Sequence, residues 1–209
     1  LWVSARLQLA AALSEMGKFD EAVREYLLIL PRAPALRLPL ARLLTIRNLQ
    51  QPEERRDWAL VERLLDEADQ ADPEGLDAAV LRAEVLVARG RLPQARALLE
   101  EAREAHPEAV EPWLALAGLA ERQKQDATAV LEAAEKQLGN RPDLLRYRAQ
   151  FWGRNRDPRG VAELQKLESV AGGLVTEEQT ARWRDIGAAY AQRGEIPRAH
   201  RLWKALAER

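Results

Sequence analysis

A spacing of small and bulky side chains recurs along this chain, and it constrains the fold more than any single residue does. The spacing is the same in three windows, residues 6–29, 79–102 and 183–206. The small residues that recur in them are Ala10, Gly17 and Ala22, then Ala83, Gly90 and Ala95, then Gly187, Gly194 and Ala199. Self-similarity of this kind is the sequence signature of a repeat architecture.

The offsets between copies give the length and number of the repeats. Val61 and Ala95 are 34 residues apart, and so are Pro73 and Pro107. Six units fill the chain, with approximate bounds 3–36, 37–75, 76–109, 110–142, 143–175 and 176–209. The second unit carries about five extra residues in its internal turn, at 51–58, while the fourth and fifth are degenerate and Gly172-Gly173 ends the fifth. We expect one array over residues 1–209, taken from a longer chain because its ends, around Leu1–Val3 and Leu202–Leu206, are apolar and uncapped.

Each unit has the pattern of two helices. Apolar residues recur at three- and four-residue spacing, and no stretch alternates with period two, so helices are predicted and strands are not. Gly17, Gly90 and Gly194 follow the first helix of their units and suit the left-handed position after a helix end. Asp126 stands near the start of a second helix, where a carboxylate accepts hydrogen bonds from free amides.

A 34-residue helix-turn-helix period with this signature resembles the tetratricopeptide repeat. The resemblance covers nearly the whole chain and is strongest in the third and sixth units. It implies an all-α fold, an α-solenoid with a right-handed superhelix of about six helix-turn-helix repeats. In such a solenoid the first helices line a concave groove.

The resemblance also assigns the side-chain sizes. Small residues are expected where helices cross closely, and large ones where neighbouring helices leave space. The expected crossing residues are Ala83, Ala95, Ala117, Ala149, Gly187 and Ala199. The expected packing residues are Trp113, Trp152, Trp183, Tyr190 and Trp203.

Few residues are suited to catalysis or to binding a metal. The chain has no Cys, and its two His residues are His106 and His200, so no metal-ligand set is evident. Neither a Gly-rich phosphate loop nor a Gly-x-Ser-x-Gly motif occurs. We therefore expect no enzyme activity, no metal and no cofactor. No run approaches the length of a membrane span, so we expect no direct membrane insertion by this segment.

The charge is unevenly distributed although the net charge is −1. Residues 53–77 carry ten acidic and three basic residues, whereas 141–160 carry six Arg and two Asp, interleaved with Tyr147, Phe151 and Trp152. Three interpretations of the Arg-rich stretch remain open: a solvated face of a degenerate repeat, a surface for an acidic protein partner, and a nucleic-acid surface. The near-zero net charge makes nucleic acid the least favoured partner. The aromatic residues there either pack in the core or form a ligand cage.

The repeat register predicts which side chains line the groove. The candidates are Glu84, Glu121, Arg122, Arg146, Tyr147, Gln150, Arg154, Arg184 and Gln192. Arg146 and Arg154 are two helical turns apart on one face, with Gln150 midway, and an Arg fork holds a carboxylate well. An acidic peptide is therefore the predicted ligand. The Lys and Asn set by which some tetratricopeptide domains bind chaperone tails is missing.

Three functions fit these observations to different degrees. The first is a non-catalytic interaction scaffold that binds a peptide or protein segment in the groove. The second is a regulatory or substrate-recruiting segment of a larger enzyme or membrane-associated protein. The third, an RNA-binding helical repeat, needs a base-reading set in every unit, and the groove positions vary too much in type. Weak self-association through the apolar ends is also predicted.

Overall fold

The structure, a computed structural model, describes residues 2–172 and 176–208. Twelve α-helices and no strand are present in these residues, so the predicted all-α fold class is confirmed. The helices form two compact units that are larger than the repeats described above. These are Leu1–Pro107, called unit 1 from here on, and Glu108–Arg209, called unit 2. Gly173, which was expected to end the fifth repeat, and Leu1, at the apolar amino-terminal end, lie outside the described residues.

Unit 1 contains six helices that pack as three consecutive pairs, α1 with α2, α3 with α4 and α5 with α6. Their bounds are Trp2–Glu15 (α1), Phe19–Ile29 (α2), Arg37–Gln50 (α3), Ala59–Ala71 (α4), Leu76–Ala88 (α5) and Leu92–Ala105 (α6). The turn between α3 and α4 spans residues 51–58 and contains the short 3-10 helix Glu53–Arg55. It is five residues longer than the turn between α1 and α2, as the sequence predicts.

The core of unit 1 is built from aliphatic side chains on the inner faces of its helices. Leu40, Leu44, Leu64, Leu65 and Leu81 are almost completely buried there. α4 shows why these segments are helical, because its buried residues Val61, Leu64 and Leu65 recur at three- and four-residue spacing and its charged residues face outward. Burial of this apolar stripe, rather than helix propensity alone, stabilises a helix of this length.

Unit 2 also contains three helix pairs, α7 with α8, α9 with α10 and α11 with α12. Their bounds are Glu111–Arg122 (α7), Ala127–Leu138 (α8), Pro142–Arg154 (α9), Gly160–Gly172 (α10), Thr176–Gln192 (α11) and Ile196–Ala207 (α12). Larger side chains fill this core: Trp113, Phe151, Trp152 and Tyr190 are all buried. Asp126 accepts a hydrogen bond from the Thr128 amide at 2.9 Å and caps α8, as expected.

In four of the six helix pairs of the described residues, the internal turn uses a left-handed residue. Gly17, Gly90 and Gly194 have φ of 73°, 74° and 84°, which confirms the position expected for them. In the α7–α8 turn Lys124 takes this conformation with φ of 55°, and the amide of Gln125 donates to the carbonyl of Ala120 at 2.9 Å. The left-handed turn is therefore retained in the α7–α8 pair although its glycine is missing.

The small residues lie at close helix crossings, as the repeat predicts. Ala83, Ala95, Ala117, Ala149 and Ala199 are all at most 1% exposed. A methyl group on Gly187 would come within 2.5 Å of the indole nitrogen of Trp203, so only hydrogen fits there without movement.

The assignments of three residues, Trp203, Trp183 and Leu202, need correction. Trp203 contacts Gly187 but is 41% exposed, so it covers the crossing rather than filling the core. Trp183 is half-buried, whereas Trp113 and Trp152 are buried as expected.

Leu202, which we expected at an exposed apolar end, is buried because α12 turns it toward the core of unit 2. Ile196 and Trp203 are the exposed large apolar residues of this helix.

None of the helices in the described residues combines the length and the apolar character needed to cross a membrane.

Candidate ligand-binding face

The candidate site lies on the first helices of the pairs in unit 2, which are α7, α9 and α11. We call the set of predicted residues on these three helices the first-helix face: Glu121, Arg122, Arg146, Tyr147, Gln150, Arg154, Arg184 and Gln192. α9 packs closely against α11 because Gly153 on α9 lets Ala189 and Gln192 approach its backbone. Side chains from neighbouring first helices are thereby brought within contact distance.

Glu121, Tyr147 and Arg154 form one polar cluster between α7 and α9. Arg154 holds the carboxylate of Glu121 in a fork, with Nη2 to Oε2 at 2.6 Å and Nε to Oε1 at 3.3 Å. The Tyr147 hydroxyl donates to Oε2 of the same carboxylate at 3.2 Å. The Arg154 guanidinium also lies 5.6 Å from the centre of the Tyr147 ring. This cluster fixes the orientation of all three side chains.

Tyr147 and Arg154 both keep their protons over the physiological pH range. Burial and the neighbouring charge of Glu121 raise the pKa of the Tyr147 hydroxyl to about 12. Burial alone would lower the pKa of Arg154, but its hydrogen bonds and charge interaction with Glu121 outweigh this effect and raise it. A phenol and a guanidinium with raised pKa values keep their protons near pH 7, so the cluster is suited to binding rather than to proton transfer.

Most arginines of the 141–160 stretch have acidic partners within unit 2. Arg146 pairs with Asp143 at 2.8 Å, and Arg159 pairs with Asp157 at 2.8 Å. Arg148 is buried and pairs with Glu135 and Glu163. In the described residues Arg141 and Arg156 form no ion pair. The stretch is therefore less strongly cationic than its sequence implies.

The aromatic residues of the same stretch mostly belong to the core. Phe151 and Trp152 are both 2% exposed, and their rings meet edge to face with centroids 4.9 Å apart. Of the three aromatic residues, Tyr147 alone is partly accessible. The core-packing interpretation is confirmed for Phe151 and Trp152, and a ligand cage made of these three rings is not formed.

The remaining predicted residues of unit 2 are exposed. Gln150 lies on α9, and Arg184 and Gln192 lie on α11. Arg122, at the end of α7, is exposed as well. Neither Arg122 nor Arg184 forms an ion pair within the described part of the chain, so their guanidinium groups are available to a ligand.

Glu84 is the candidate in unit 1 and has its own partner. It lies on α5, and the carboxylate is 3.5 Å from a guanidinium nitrogen of Arg42 on α3. Desolvation by the surrounding protein raises the pKa of Glu84, and the charge of Arg42 acts in the opposite direction. Glu84 is thus part of a charge pair between two first helices, as Glu121 is in unit 2.

The ionic partners of Glu84 and Glu121 were not predicted from the sequence. For Glu121, the spacing to its partner Arg154 gave a signal. Glu121 and Arg154 are 33 residues apart, about one repeat, and so are Glu168 and Arg201, which pair at 2.7 Å. Opposite charges one repeat apart on neighbouring helices are within reach of each other. Arg42 and Glu84 are 42 residues apart, which exceeds one repeat even after the five extra residues of the α3–α4 turn are subtracted, so the spacing does not reveal this pair.

The described residues contain no cluster of three or more His, Asp or Glu side chains arranged to hold a metal ion.

Comparison with known proteins agrees with this architecture. Residues 54–120 match the tetratricopeptide repeat family, which confirms the resemblance inferred from the sequence. The match covers about a third of the chain and supports tetratricopeptide-like repeats in that part. No curated protein matches the sequence.

Two solved structures are similar to the chain in fold. The crystal structure of yeast Tom70 is 16% identical and superposes with a TM-score of 0.68, over 99% of this chain and 44% of that one. The chain thus spans less than half the length of Tom70. TTC0263, a thermophilic TPR protein in Thermus thermophilus, is 16% identical with a TM-score of 0.53, over 99% of this chain and 100% of that one. At this identity the likeness concerns the helical-repeat fold alone.

Tetratricopeptide repeats generally mediate protein–protein interaction.

Proposed function

We propose that the chain is a non-catalytic interaction scaffold that binds a peptide or protein segment along the first-helix face of unit 2. The observation that carries this proposal is the cluster of Glu121, Tyr147 and Arg154. It presents charged and hydrogen-bonding groups that are held in place before any ligand arrives. Gly153, which precedes Arg154 in the sequence, lies against Gln192 on α11. Preorganised side chains lose little conformational entropy on binding.

The charge balance of this face supports an acidic ligand of modest affinity. Arg184 is exposed, and Arg146 is paired only with Asp143 on its own helix, at the surface. Exposed pairs of this kind contribute little energy, so an incoming carboxylate replaces Asp143 at low cost. Arg154 is held more firmly by Glu121. A peptide carboxylate therefore has to share this guanidinium with Glu121 or displace it.

Affinity measurements on a charge-reversed variant test the proposal. Peptides selected from a displayed random library on the wild-type chain provide the ligand, and calorimetry measures its dissociation constant. Arg146→Glu with Arg154→Glu should weaken binding at least tenfold, which is about 1.4 kcal/mol. Wild-type affinity should also fall as salt rises, because exposed charges are screened.

A matched control separates the site from net charge. Lys136→Glu with Lys204→Glu makes the same change in charge on the second helices α8 and α12, where both side chains are exposed. This variant should keep the wild-type affinity. If the two double variants bind alike, the first-helix face is not the ligand site.

Photo-cross-linking locates the ligand independently of charge. A benzophenone amino acid at Gln150 lies on the first-helix face, whereas the same group at Lys136 lies on α8. Cross-linking of the selected peptide is expected at position 150 and not at 136. Efficient cross-linking at 136 alone would move the site to the second helices.

A further inference from the structure

A pocket of about 380 Å³ opens in unit 1 between the α3–α4 turn and the α5–α6 turn. Its charged and aromatic lining consists of Glu53, Arg56, Trp58, Arg89 and Arg91. Three of these residues come from the long turn at 51–58, so the extra residues of the second helix pair build one wall. We call this space the turn pocket. It belongs to unit 1, whereas the first-helix face belongs to unit 2.

The turn pocket carries more positive than negative charge. Arg89 is neutralised by an ion pair with Glu62, and its guanidinium lies 5.8 Å from the centre of the Trp58 ring. Arg56 donates from Nε to the carbonyl of Gln51 at 3.1 Å. Because this acceptor is neutral, it does not compensate the positive charge of Arg56. Arg56 and Arg91 form no ion pair with any described residue. Among the described lining residues, Glu53 is the one carboxylate.

The corresponding turns of unit 2 show that this charge is not a general property of the fold. A pocket of about 310 Å³ lies between the α7–α8 and α9–α10 turns. Its charged lining is Glu121, Lys124, Asp126, Asp157 and Arg159, three acids against two bases. The turn pocket of unit 1 has the opposite balance in the equivalent place.

A second comparison concerns the arginine that precedes the turn glycine. Arg89 before Gly90 corresponds to Arg193 before Gly194 in the α11–α12 turn. Arg193 donates to the carbonyls of Trp152 and Asp157 at 2.9 and 2.7 Å, and so fastens onto the α9–α10 turn. Arg89 instead faces Trp58 and Glu62, and the space beside it stays open.

We propose that the turn pocket binds an oxyanion carried by a peptide, either a carboxylate or a phosphate monoester. Arg56 and Arg91 supply the positive charge, and guanidinium groups bind both oxyanions through paired hydrogen bonds. Trp58 is half-buried and offers an apolar wall to the side chain that carries the anion. The site lies in a different unit from the first-helix face and does not depend on the function proposed there.

Small aromatic probes test the pocket without a known partner. Phenyl phosphate and benzoate each join an oxyanion to a ring, and benzyl alcohol is their neutral counterpart. In amide and indole NMR spectra of the whole chain, both anions should shift the Trp58 indole and Gly90 amide signals saturably. Benzyl alcohol should not. A phosphate preference of tenfold or more points to a phosphorylated peptide, and equal binding points to acidic side chains.

Variants of the two turns decide whether these shifts come from the proposed site. Arg56→Gln with Arg91→Gln should weaken phenyl phosphate binding at least fivefold, while Glu53→Gln should strengthen it. Arg55→Gln is the matched control, since Arg55 is exposed in the same turn but does not line the pocket. Thermal unfolding checks that all variants fold. Equal weakening by Arg55→Gln, equal binding of benzyl alcohol, or no saturable shift in the wild type overturns the proposal.

Discussion

Gly153 and Ala189 touch where α9 crosses α11: a Cβ atom built on Gly153 would stand 2.9 Å from the Cα of Ala189. Backbone on the opposing helix cannot move aside as a flexible side chain can. This crossing sets the distance between two helices of the first-helix face, and it makes Gly153 a packing residue although it lies between two groove candidates in the sequence.

Gly153→Ala should lower the free energy of unfolding by about 1–3 kcal/mol, because the added methyl group pushes α9 and α11 apart. Gly118→Ala is the matched change on α7, where a methyl group meets only the Tyr147 hydroxyl, at 3.4 Å. That variant should be neutral or up to about 1 kcal/mol more stable, since Ala favours a helix interior over Gly. Chemical denaturation measures both, and similar values for the two would contradict the close crossing.

Lys124→Gly should stabilise the chain by up to about 1 kcal/mol, because the left-handed conformation costs an L-residue more than it costs Gly. Gly90→Ala is the reverse change at a turn of the same type. It should destabilise by about 1 kcal/mol, and an added methyl group there would meet nothing within 4 Å, so conformation alone accounts for the loss. Melting temperatures that move in the same direction for both variants would argue against this explanation.

Ala83→Leu or Ala95→Leu should each cost about 1–3 kcal/mol, because both residues are at most 1% exposed and a larger side chain overpacks the crossing. Ala97→Leu introduces the same side chain at an exposed position of α6 and should change stability by less than about 0.5 kcal/mol. Equal losses at the buried and exposed positions, measured by denaturation, would mean that the assigned faces of α5 and α6 are wrong.

Arg148→Ala should cost about 2 kcal/mol or more, since it leaves Glu135 and Glu163 without their buried partner. Arg146→Ala, two residues earlier on the exposed side of the same helix, should change stability by less than about 0.5 kcal/mol. The pair separates a structural arginine from a surface arginine within one basic stretch. A large loss for Arg146→Ala in thermal unfolding would show that this division is mistaken.

Stability should decline in alkaline solution partly because of Tyr190. Burial and the charge of Glu168 raise the pKa of its hydroxyl to about 12 in the folded chain, from its ordinary value of 10. The unfolded chain therefore loses this proton first, so the stabilising contribution is complete below pH 10 and is lost between pH 10 and 12. The melting temperature of Tyr190→Phe should fall less steeply over this range than that of the wild type. Parallel curves would exclude this contribution.

The helices, the turn glycines and the small crossing residues could be predicted from the sequence because they are local or strictly periodic. A Gly at a repeated position indicates a left-handed turn residue, and Ala83 or Ala149 at a repeated position indicates a crossing, whichever helix lies opposite. The all-α class and the extra residues of the α3–α4 turn follow from the same periodicity.

Which of the similar arginines is buried and which is exposed was decided by tertiary structure. Arg146, Arg148 and Arg154 look alike in the sequence, yet one is a surface pair, one is buried between two glutamates, and one is forked to Glu121 on another helix. The ionic partner of a long side chain depends on the distance between helices, which hydrophobic packing sets. The turn pocket likewise exists only because the α3–α4 and α5–α6 turns, more than thirty residues apart, meet in space.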